Sequence, residues 1–208
     1  LSTLITANHI LHHGNVLDSF GHISVRNPER NETFFIALQM GPAVVSGTGD
    51  VGEYWVEDGR PLEGTVGGYA ERFIHSAVLK RYPDVNSVVH SHSEDVLPYT
   101  VVASNSSRFS PVYHMAGFLA GDDVPNWDIE TAYNDSDPRD MLVNTPALGD
   151  SLAQTLGINA SQPTSPAHWT ILQRGHGFVT TGTSIEQATD FAMYAASNAR
   201  VQTKALLL

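Results

Sequence analysis

The chain has 208 residues, 41% of them hydrophobic, with a formal net charge of −11 at pH 7 and no cysteine. Its length fits one domain, which we expect to span residues 1–208, and its negative charge argues against nucleic acid and anionic membranes as partners. Without cysteine there are no disulfides, thiolate metal sites or cysteine nucleophiles, so a metal ion would bind through His, Asp, Glu or water.

The first third of the chain predicts one helix followed by strands in hairpins. Apolar residues share one face of the opening helical stretch, and Gly14 follows it as a stop signal. β-Branched and aromatic residues mark the strands, and polar or glycine-rich turns separate them. The predicted elements are a helix at 2–14, strands at 20–26, 33–38 and 53–56, and turns at 46–50 and 58–59.

The rest of the chain alternates between helices and strands without a regular strand–helix–strand rhythm. The predicted strands are at 86–92, 111–121 and 169–173, with a short one inside the acidic loop 122–140, and the predicted helices are at 68–81, 95–103, 147–157 and 184–208. Because hairpins come first and helices are distributed along the chain, we expect a mixed sheet with helices packed on both faces.

The pair His90 and His92 is the sharpest chemical signal. On a strand, residues i and i+2 point to the same face, so both imidazoles can approach one metal ion. A His-x-His pair alone is weak evidence of a metal site, because one functional and one solvated histidine give the same pattern.

Two other segments strengthen the metal interpretation. His176 lies between Gly175 and Gly177 just after a predicted strand, where glycines allow the backbone to approach a ligand closely. Glu71 lies in the first turn of a predicted helix, where a carboxylate either interacts with the helix dipole or points into a site. Three neutral imidazoles with an open position are typical of a catalytic metal site rather than a structural one.

In these motifs the chain resembles the class II aldolase/adducin family over nearly its whole length. The segments that carry the resemblance are 21–26, 70–75, 83–92 and 174–177. The resemblance implies a three-layer αβα domain with a central mixed, largely antiparallel sheet. It also implies a homo-oligomer, with a tetramer favoured and active sites between subunits.

The same resemblance assigns roles to four residues. It implies His90, His92 and His176 as the metal ligands and Glu71 as the acid/base carboxylate. Three histidine ligands favour Zn²⁺, with Mn²⁺, Fe²⁺ and Co²⁺ as alternatives.

Departures from the family pattern concern the substrate. Sugar-phosphate aldolases of the family place two serines before the glutamate and an asparagine in the first strand, where this chain has Tyr69, Ala70 and His22. Ser46 and Gly47 alone still resemble a phosphate-binding element. Because a dianionic phosphate needs several donors, we expect a small-molecule substrate that is not a sugar phosphate.

The chain also resembles a decarboxylase-like branch of the family, whose members act on hydroxylated aromatic carboxylic acids. The segments that carry this resemblance are 22–26, 71–75, 88–93 and 111–119. This predicts a metal-dependent lyase in which Glu71 protonates the carbon that CO₂ leaves. One alternative is an aldolase or epimerase for a non-phosphorylated hydroxy-carbonyl compound. Another is a non-catalytic adducin-like or metal-binding protein, against which the intact Glu71 argues.

Further residues are candidates for substrate contacts, although each also has a structural interpretation. The predicted substrate-binding residues are His22, Ser46, Gly47, Tyr69, Arg72, Tyr113 and His114. Phe109, Phe118 and Trp127 fit an aromatic wall, but core packing is the commoner fate of such residues. His75 is expected to be structural or exposed.

Four N-glycosylation sequons begin at Asn31, Asn105, Asn134 and Asn159. Chance predicts about two in a chain of this composition, so the excess is modest. With the low lysine content they slightly favour a secreted glycoprotein, although the first ten residues do not resemble a signal peptide. A cytoplasmic protein with unmodified sequons is the alternative.

Overall fold

The computed structural model describes residues 1–102, 108–121 and 123–208. Its strands are β1 (His22–Arg26), β2 (Thr33–Ala37), β3 (Val51–Trp55), β4 (Ser87–Ser91), β5 (Asn126–Trp127), β6 (Thr170–Gln173) and β7 (Gly177–Gly182). In the described part they form one seven-stranded sheet in the order β3-β2-β1-β4-β7-β6-β5. Neighbouring strands are antiparallel, except that β5 and β6 are parallel.

Helices cover both faces of this sheet. They are α1 (Ser2–His13), α2 (Arg72–Arg81), α3 (Leu97–Val101), α4 (Pro146–Thr155) and α5 (Ile185–Leu206). On one face α2 packs against α4, and on the other α5 packs against α1, β4 and β7. This three-layer αβα arrangement around a mixed, largely antiparallel sheet confirms the predicted fold class.

Side chains along the central strand β4 point alternately to the two faces of the sheet, and the core forms one cluster on each face. Val88 packs on the α2–α4 side with Ile36, whereas Val89 packs on the α1–α5 side with Ile23. Burial of each such side chain contributes about 1.5–3 kcal/mol. Because successive side chains on a strand point to opposite faces, His90 projects to the same side as Val88. The hydrophobic pattern of β4 therefore places its histidine in the layer that contains α2.

Hydrogen bonds from Arg26 fix the position of α2 relative to the strands. Its Nη2 donates to the carbonyl oxygens of Leu79 at 2.7 Å and Val85 at 3.0 Å. The last turn of α2 and the segment before β4 are therefore attached to the end of β1. The N-terminus of α2, one helix length away, is held at the other end of the same strands.

Three differences between the structure and the predicted elements bear on the sheet and the site. The stretch 111–121, predicted as a strand leading into a loop, contains a 3₁₀ helix (His114–Leu119) whose residues pack against α5 instead of joining the sheet. β7 is absent from the predicted elements, although its β-branched residues favour a strand. The helix predicted from residue 68 begins at Arg72, since Gly67 and Gly68 have positive φ angles of 84° and 120°.

The sequons differ in exposure. Asn31 and Asn134 are exposed, whereas Asn159 is half-buried and its Oδ1 accepts a hydrogen bond from the backbone of Ser161. The sequon at Asn105 lies outside the described residues. In the described ranges, no helix is long and apolar enough to cross a membrane. Secretion and glycosylation stay predictions.

The crossing of α2 and α4 generates a stability prediction. Gly149 lies so close to α2 that an added Cβ would overlap the carbonyl oxygen of Phe73. Gly149→Ala should therefore lower the free energy of unfolding by about 1–3 kcal/mol, although a Gly-to-Ala change inside a helix ordinarily stabilises it by about 1 kcal/mol. Urea denaturation measures the change.

Gly117→Ala is the matched control, because a Cβ added at Gly117 has no atom within 4 Å. We expect its unfolding free energy to be unchanged or slightly raised. Equal stability of the two variants would show that α2 and α4 do not cross as closely as described.

Candidate metal and acid–base site

Glu71, His90, His92 and His176 lie together where β4 ends and β7 begins. One ligand atom of each residue lies within 4.8 Å of those of the others. His92 Nε2 is 2.9 Å from His90 Nε2 and 3.1 Å from His176 Nε2. The structure thus brings together the four residues for which the sequence predicts metal and acid/base roles.

Two glycines allow His176 to reach this position. The pairing of Ser91 with Phe178 puts the turn before β7 beside the end of β4. Gly177 permits the close approach, since an added Cβ would overlap the carbonyl oxygen of Ser91. Gly175 has a φ of 68°, a left-handed conformation that favours glycine in the turn between β6 and β7. The backbone requires both glycines around His176.

Glu71 precedes α2 as its N-cap residue, and its carboxylate turns into the site. Oε1 accepts a hydrogen bond of 3.0 Å from the backbone N–H of Val143. Oε2 lies 3.3 Å from His90 Nε2 and 3.4 Å from His176 Nε2. Burial raises the pKa of Glu71, but the charges and hydrogen bonds of these two histidines outweigh it and hold the pKa well below its usual value. Glu71 is therefore a carboxylate at neutral pH.

Acceptors outside the cluster orient two of the histidines. His92 Nδ1 is 3.1 Å from Asp18 Oδ1, and His176 Nδ1 is 2.9 Å from the carbonyl oxygen of Met141. Because both partners accept hydrogen bonds, each Nδ1 carries a proton and each Nε2 is directed at the cluster. Asp18 is itself held by the backbone N–H of Gly21 at 2.7 Å.

The cluster is suited to a positive charge. Burial and the neighbouring His90 lower the pKa of His92 to about 4, so His92 is a neutral imidazole. Burial lowers the pKa of His176, but its hydrogen bond to Glu71 and the charge of that carboxylate outweigh burial and raise it above the usual value. Two imidazole lone pairs 3.1 Å apart repel each other unless a proton or a metal ion lies between them.

The donor spacing fits a divalent cation. A tetrahedral ion with metal–nitrogen distances of about 2.0–2.1 Å separates its ligand atoms by about 3.4 Å. The neighbouring donors of the cluster are 2.9 to 3.4 Å apart. Three imidazoles with a carboxylate beside them form a donor set that zinc and related ions accept. The three histidines can therefore hold a metal ion, with the Glu71 carboxylate next to it.

A second set of buried polar residues adjoins the cluster. His22 on β1 lies directly opposite His90 on β4, with ring centroids 5.1 Å apart. His22 Nδ1 is 2.7 Å from His75 Nε2, and His75 Nδ1 is 2.6 Å from Ser24 Oγ. Burial lowers the pKa of His75 to about 3 and the pKa of His22 well below its usual value, so both rings are neutral. His75 is fully buried, which excludes the predicted exposed alternative.

Tyr69 and Arg72 lie near the site, but their polar groups are engaged elsewhere. The hydroxyl of Tyr69 donates to the carbonyl oxygen of Met40, and its ring packs on His22 at 4.4 Å. Arg72 donates from Nε to the carbonyl oxygen of Gly59 at 2.7 Å and from Nη1 to that of Tyr69 at 3.1 Å. These backbone contacts argue against the predicted substrate contacts of both side chains.

Ser46 and Gly47 direct their donors to a carboxylate of the same turn. The backbone N–H groups of Ser46 and Gly47 lie 2.8 and 3.0 Å from Asp50 Oδ2, and the Ser46 hydroxyl lies 2.9 Å from it. These hydrogen bonds hold the pKa of Asp50 below its usual value, so the acceptor is negatively charged. In this structure the donors of the turn are therefore engaged by Asp50, and the substrate contacts of Ser46 and Gly47 stay a prediction.

Tyr113 and His114 lie apart from the cluster. Tyr113 precedes the 3₁₀ helix that packs on α5, and its ring contacts those of His114 and Tyr194. This is the α1–α5 side of the sheet, whereas Glu71 and His90 lie on the α2 side. Within the described part of one chain, no contact joins Tyr113 or His114 to the cluster.

The other aromatic candidates pack in the core. Phe109 and Trp127 are buried, and Phe118 stacks on Phe191 with ring centroids 4.1 Å apart. Trp127 Nε1 donates to the hydroxyl of Ser151 at 3.1 Å. These contacts favour the core interpretation over an aromatic substrate wall.

Sequence reasoning misses several partners of the site. The spacing of His75 could have predicted its place near the site, because it follows Glu71 by four residues and residues four apart share one face of a helix. Asp18 precedes the predicted strand that carries His22, but nothing in that spacing points to His92. Met141 and Val143 contribute backbone groups, which any residue supplies, so the sequence carries no signal for them.

Comparisons with known proteins identify the family of the chain. A family model described as the class II aldolase and adducin N-terminal domain matches residues 3–203. The chain is 43% identical over 207 residues to decarboxylase tropJ of Talaromyces stipitatus, covering 99% of this chain and 76% of that protein. It is 29% identical over 136 residues to 3,4-dihydroxyphthalate decarboxylase of Arthrobacter keyseri, covering 63% of this chain and 48% of that protein.

A solved structure shows the same fold. L-Fuculose-1-phosphate aldolase from Thermus thermophilus superposes with a TM-score of 0.72 at 19% identity, covering 99% of this chain and 93% of that one. At this identity the similarity concerns the fold alone. The family match and the decarboxylase relative cover nearly the whole chain. The chain therefore belongs to the class II aldolase and adducin family, in its decarboxylase-like branch, and is a lyase.

Proposed function

We propose that this lyase is a metal-dependent decarboxylase of a hydroxylated aromatic carboxylic acid, with Glu71 as its acid/base group. The observation that carries the proposal is the buried Glu71 carboxylate within 3.4 Å of the Nε2 atoms of two clustered histidines. Two relatives named as decarboxylases support the reaction type. The compound in the name of the Arthrobacter keyseri relative, 3,4-dihydroxyphthalate, belongs to the proposed substrate class.

His90, His92 and His176 are the proposed metal ligands. Three imidazoles favour Zn²⁺, and Mn²⁺, Fe²⁺ and Co²⁺ accept the same donors. A bound divalent ion supplies positive charge that stabilises the electrons released when a carbon–carbon bond breaks. The hydrogen bonds of His92 to Asp18 and of His176 to Met141 keep the ligand nitrogens directed at the ion.

Glu71 is positioned to move a proton. Its Oε1 is held by the N–H of Val143, which leaves Oε2 beside the histidines to meet the substrate. As a carboxylate it takes the proton of a substrate hydroxyl. When CO₂ leaves, the electron pair of the broken bond stays on the ring carbon, and Glu71 delivers the proton to that carbon. A solvent proton restores the hydroxyl, so each turnover consumes one proton.

The polar groups of the turn at residues 46–50 and of residues 69 and 70 argue against a phosphorylated substrate. The donors of Ser46 and Gly47 are engaged by Asp50, whose negative charge repels a dianion. Tyr69 gives its hydroxyl to the backbone, and Ala70 offers no side-chain donor. An aldolase or epimerase acting on a non-phosphorylated hydroxy-carbonyl compound is the second candidate, because Glu71 can shuttle a proton in either reaction. We also infer a homo-oligomer, with a tetramer favoured by the family.

Product analysis tests the reaction. The zinc-loaded protein should release CO₂ from at least one member of a panel of hydroxylated aromatic carboxylates that includes 3,4-dihydroxyphthalate. Treatment with a chelator should lower the rate by at least about a hundredfold, and added Zn²⁺ should restore it. An aldehyde product from a hydroxy-carbonyl compound, without CO₂ from the panel, would favour the second candidate. A rate that survives removal of all metal would contradict metal dependence.

Substitutions separate the acid/base group from the ligands. Glu71→Gln should lower turnover by about 10²–10⁴-fold, because the amide cannot accept and return a proton, while metal content stays that of the parent. His90→Ala should lose the metal. Elemental analysis and CO₂ release are the two measurements. His168→Ala is the control that should keep both, and parental metal content in His90→Ala would refute the ligand assignment.

Asp18→Ala tests the orientation of His92. Loss of its carboxylate should weaken zinc affinity about 10–100-fold, because His92 Nδ1 loses its acceptor. Competition with a fluorescent chelator measures the affinity. Asp135→Ala, which removes an exposed carboxylate elsewhere on the chain, is the matched control. If both variants bind zinc equally, Asp18 does not orient a ligand.

A further inference from the structure

Ser24, His75 and His22 form a buried hydrogen-bonded series, the histidine relay, that ends beside the Glu71–histidine cluster. Ser24 Oγ is 2.6 Å from His75 Nδ1, and His75 Nε2 is 2.7 Å from His22 Nδ1. The three side chains are at most 1% exposed. The proton transfer assigned to Glu71 makes no use of them, so three buried polar residues need another explanation.

The surroundings of Ser24 determine which group donates in its hydrogen bond with His75. Its cross-strand neighbours are the apolar residues Ile36 on β2 and Val88 on β4. Among the described residues, the hydrogen-bond partner of its hydroxyl is His75. A buried hydroxyl proton without an acceptor is unfavourable, so the Ser24 hydroxyl donates to Nδ1 of His75.

The protons of the two rings follow from this direction. A neutral imidazole carries one proton, and since Nδ1 of His75 accepts, its proton lies on Nε2. That N–H donates to Nδ1 of His22, so the proton of His22 lies on Nε2. The opposite order would place protons on both Nδ1 atoms and leave the Ser24 hydroxyl without an acceptor.

The free end of the relay faces the site. His22 and His90 are directly opposite each other on neighbouring strands, so their side chains share one face of the sheet. Nε2 of His22 has no hydrogen-bond partner in the described part of the chain. Unlike His90 Nδ1, which also has no partner, this atom is not fully enclosed. It therefore keeps a small accessible area, on a ring whose centroid lies 5.1 Å from that of the proposed ligand His90. Tyr69 packs against the ring with its own hydroxyl turned away to Met40.

We infer that the relay fixes His22 as an uncharged Nε2–H donor to an oxygen of the substrate carboxylate or phenol. The identity of this ligand rests on the proposed function, whereas the tautomer of His22 does not. A neutral N–H suits an oxygen next to a bound cation, because it adds a hydrogen bond without repelling the metal. Ser24 and His75 are positioning residues, since they act through His22.

Neutron diffraction of the zinc-loaded protein reads the tautomers directly. We expect deuterium on Nε2 of both His75 and His22 and on the Ser24 hydroxyl pointing to His75. Deuterium on Nδ1 of His22 would overturn the inference. This observation needs no turnover, so a protein that releases no CO₂ would refute the proposed function while the relay is still decided by the diffraction.

Binding of 3,4-dihydroxyphthalate tests the donor. In the zinc-loaded Glu71→Gln protein, which should not consume this probe, adding His22→Phe should weaken binding about 10–100-fold, because a hydrogen bond to a charged oxygen is lost. Adding His22→Gln, which restores an N–H donor, should recover affinity to within about tenfold of the parent. Calorimetry measures both at equal zinc content. Equal affinity of the two variants, or a parent that does not bind the probe, would overturn the ligand assignment.

Two serines provide a matched test of positioning. Ser24 and Ser87 are fully buried on neighbouring strands, and the Ser87 hydroxyl donates to the carbonyl oxygen of Ser24 at 2.7 Å, outside the relay. Ser24→Ala should weaken probe binding about three- to tenfold, because part of the His22 population takes the other tautomer. Ser87→Ala should lose comparable thermal stability without this loss of affinity. The same affinity loss in both variants would show a merely structural role for Ser24.

Discussion

The close pairing of β4 with β7 is the constraint on which the site depends. Gly177 lies against the carbonyl oxygen of Ser91, and a side chain there would force the strands apart. This contact brings the turn that carries His176 next to the end of β4, which carries His90. The sheet is buried on both faces at this point, so the strands have little freedom to separate. A rigid backbone contact thus sets the separation of ligands that are distant in sequence.

Burial gives the polar groups of this layer their chemistry. Desolvation alone would raise the pKa of Glu71, but the adjacent histidines reverse the shift and lower the pKa below its usual value. The same carboxylate raises the pKa of His176. The cluster therefore combines negative charge with directed nitrogen donors, which is the combination that a cation requires. Beside it the relay of Ser24, His75 and His22 stays neutral, because burial opposes charge on either ring.

The turn at residues 46–50 supplies its own anion, Asp50. Its backbone N–H groups are arranged as an anion site would be, yet Asp50 of the same turn occupies them. An internal carboxylate removes both the donors and the electrostatic attraction that a phosphate would need. Similarity of fold to a sugar-phosphate aldolase does not by itself assign a sugar-phosphate substrate to this chain.

The sequence by itself determined the features that depend on local periodicity. The two-residue repeat of a strand put His90 and His92 on one side, and helix patterning put Glu71 at the start of α2. The sequence could not determine the hydrogen-bond partners of these side chains. Asp18 and the carbonyl of Met141 reach the histidines only because segments distant in the chain meet at the end of the sheet. Backbone donors and acceptors are the same in every residue, so only the tertiary structure decides which of them complete the site.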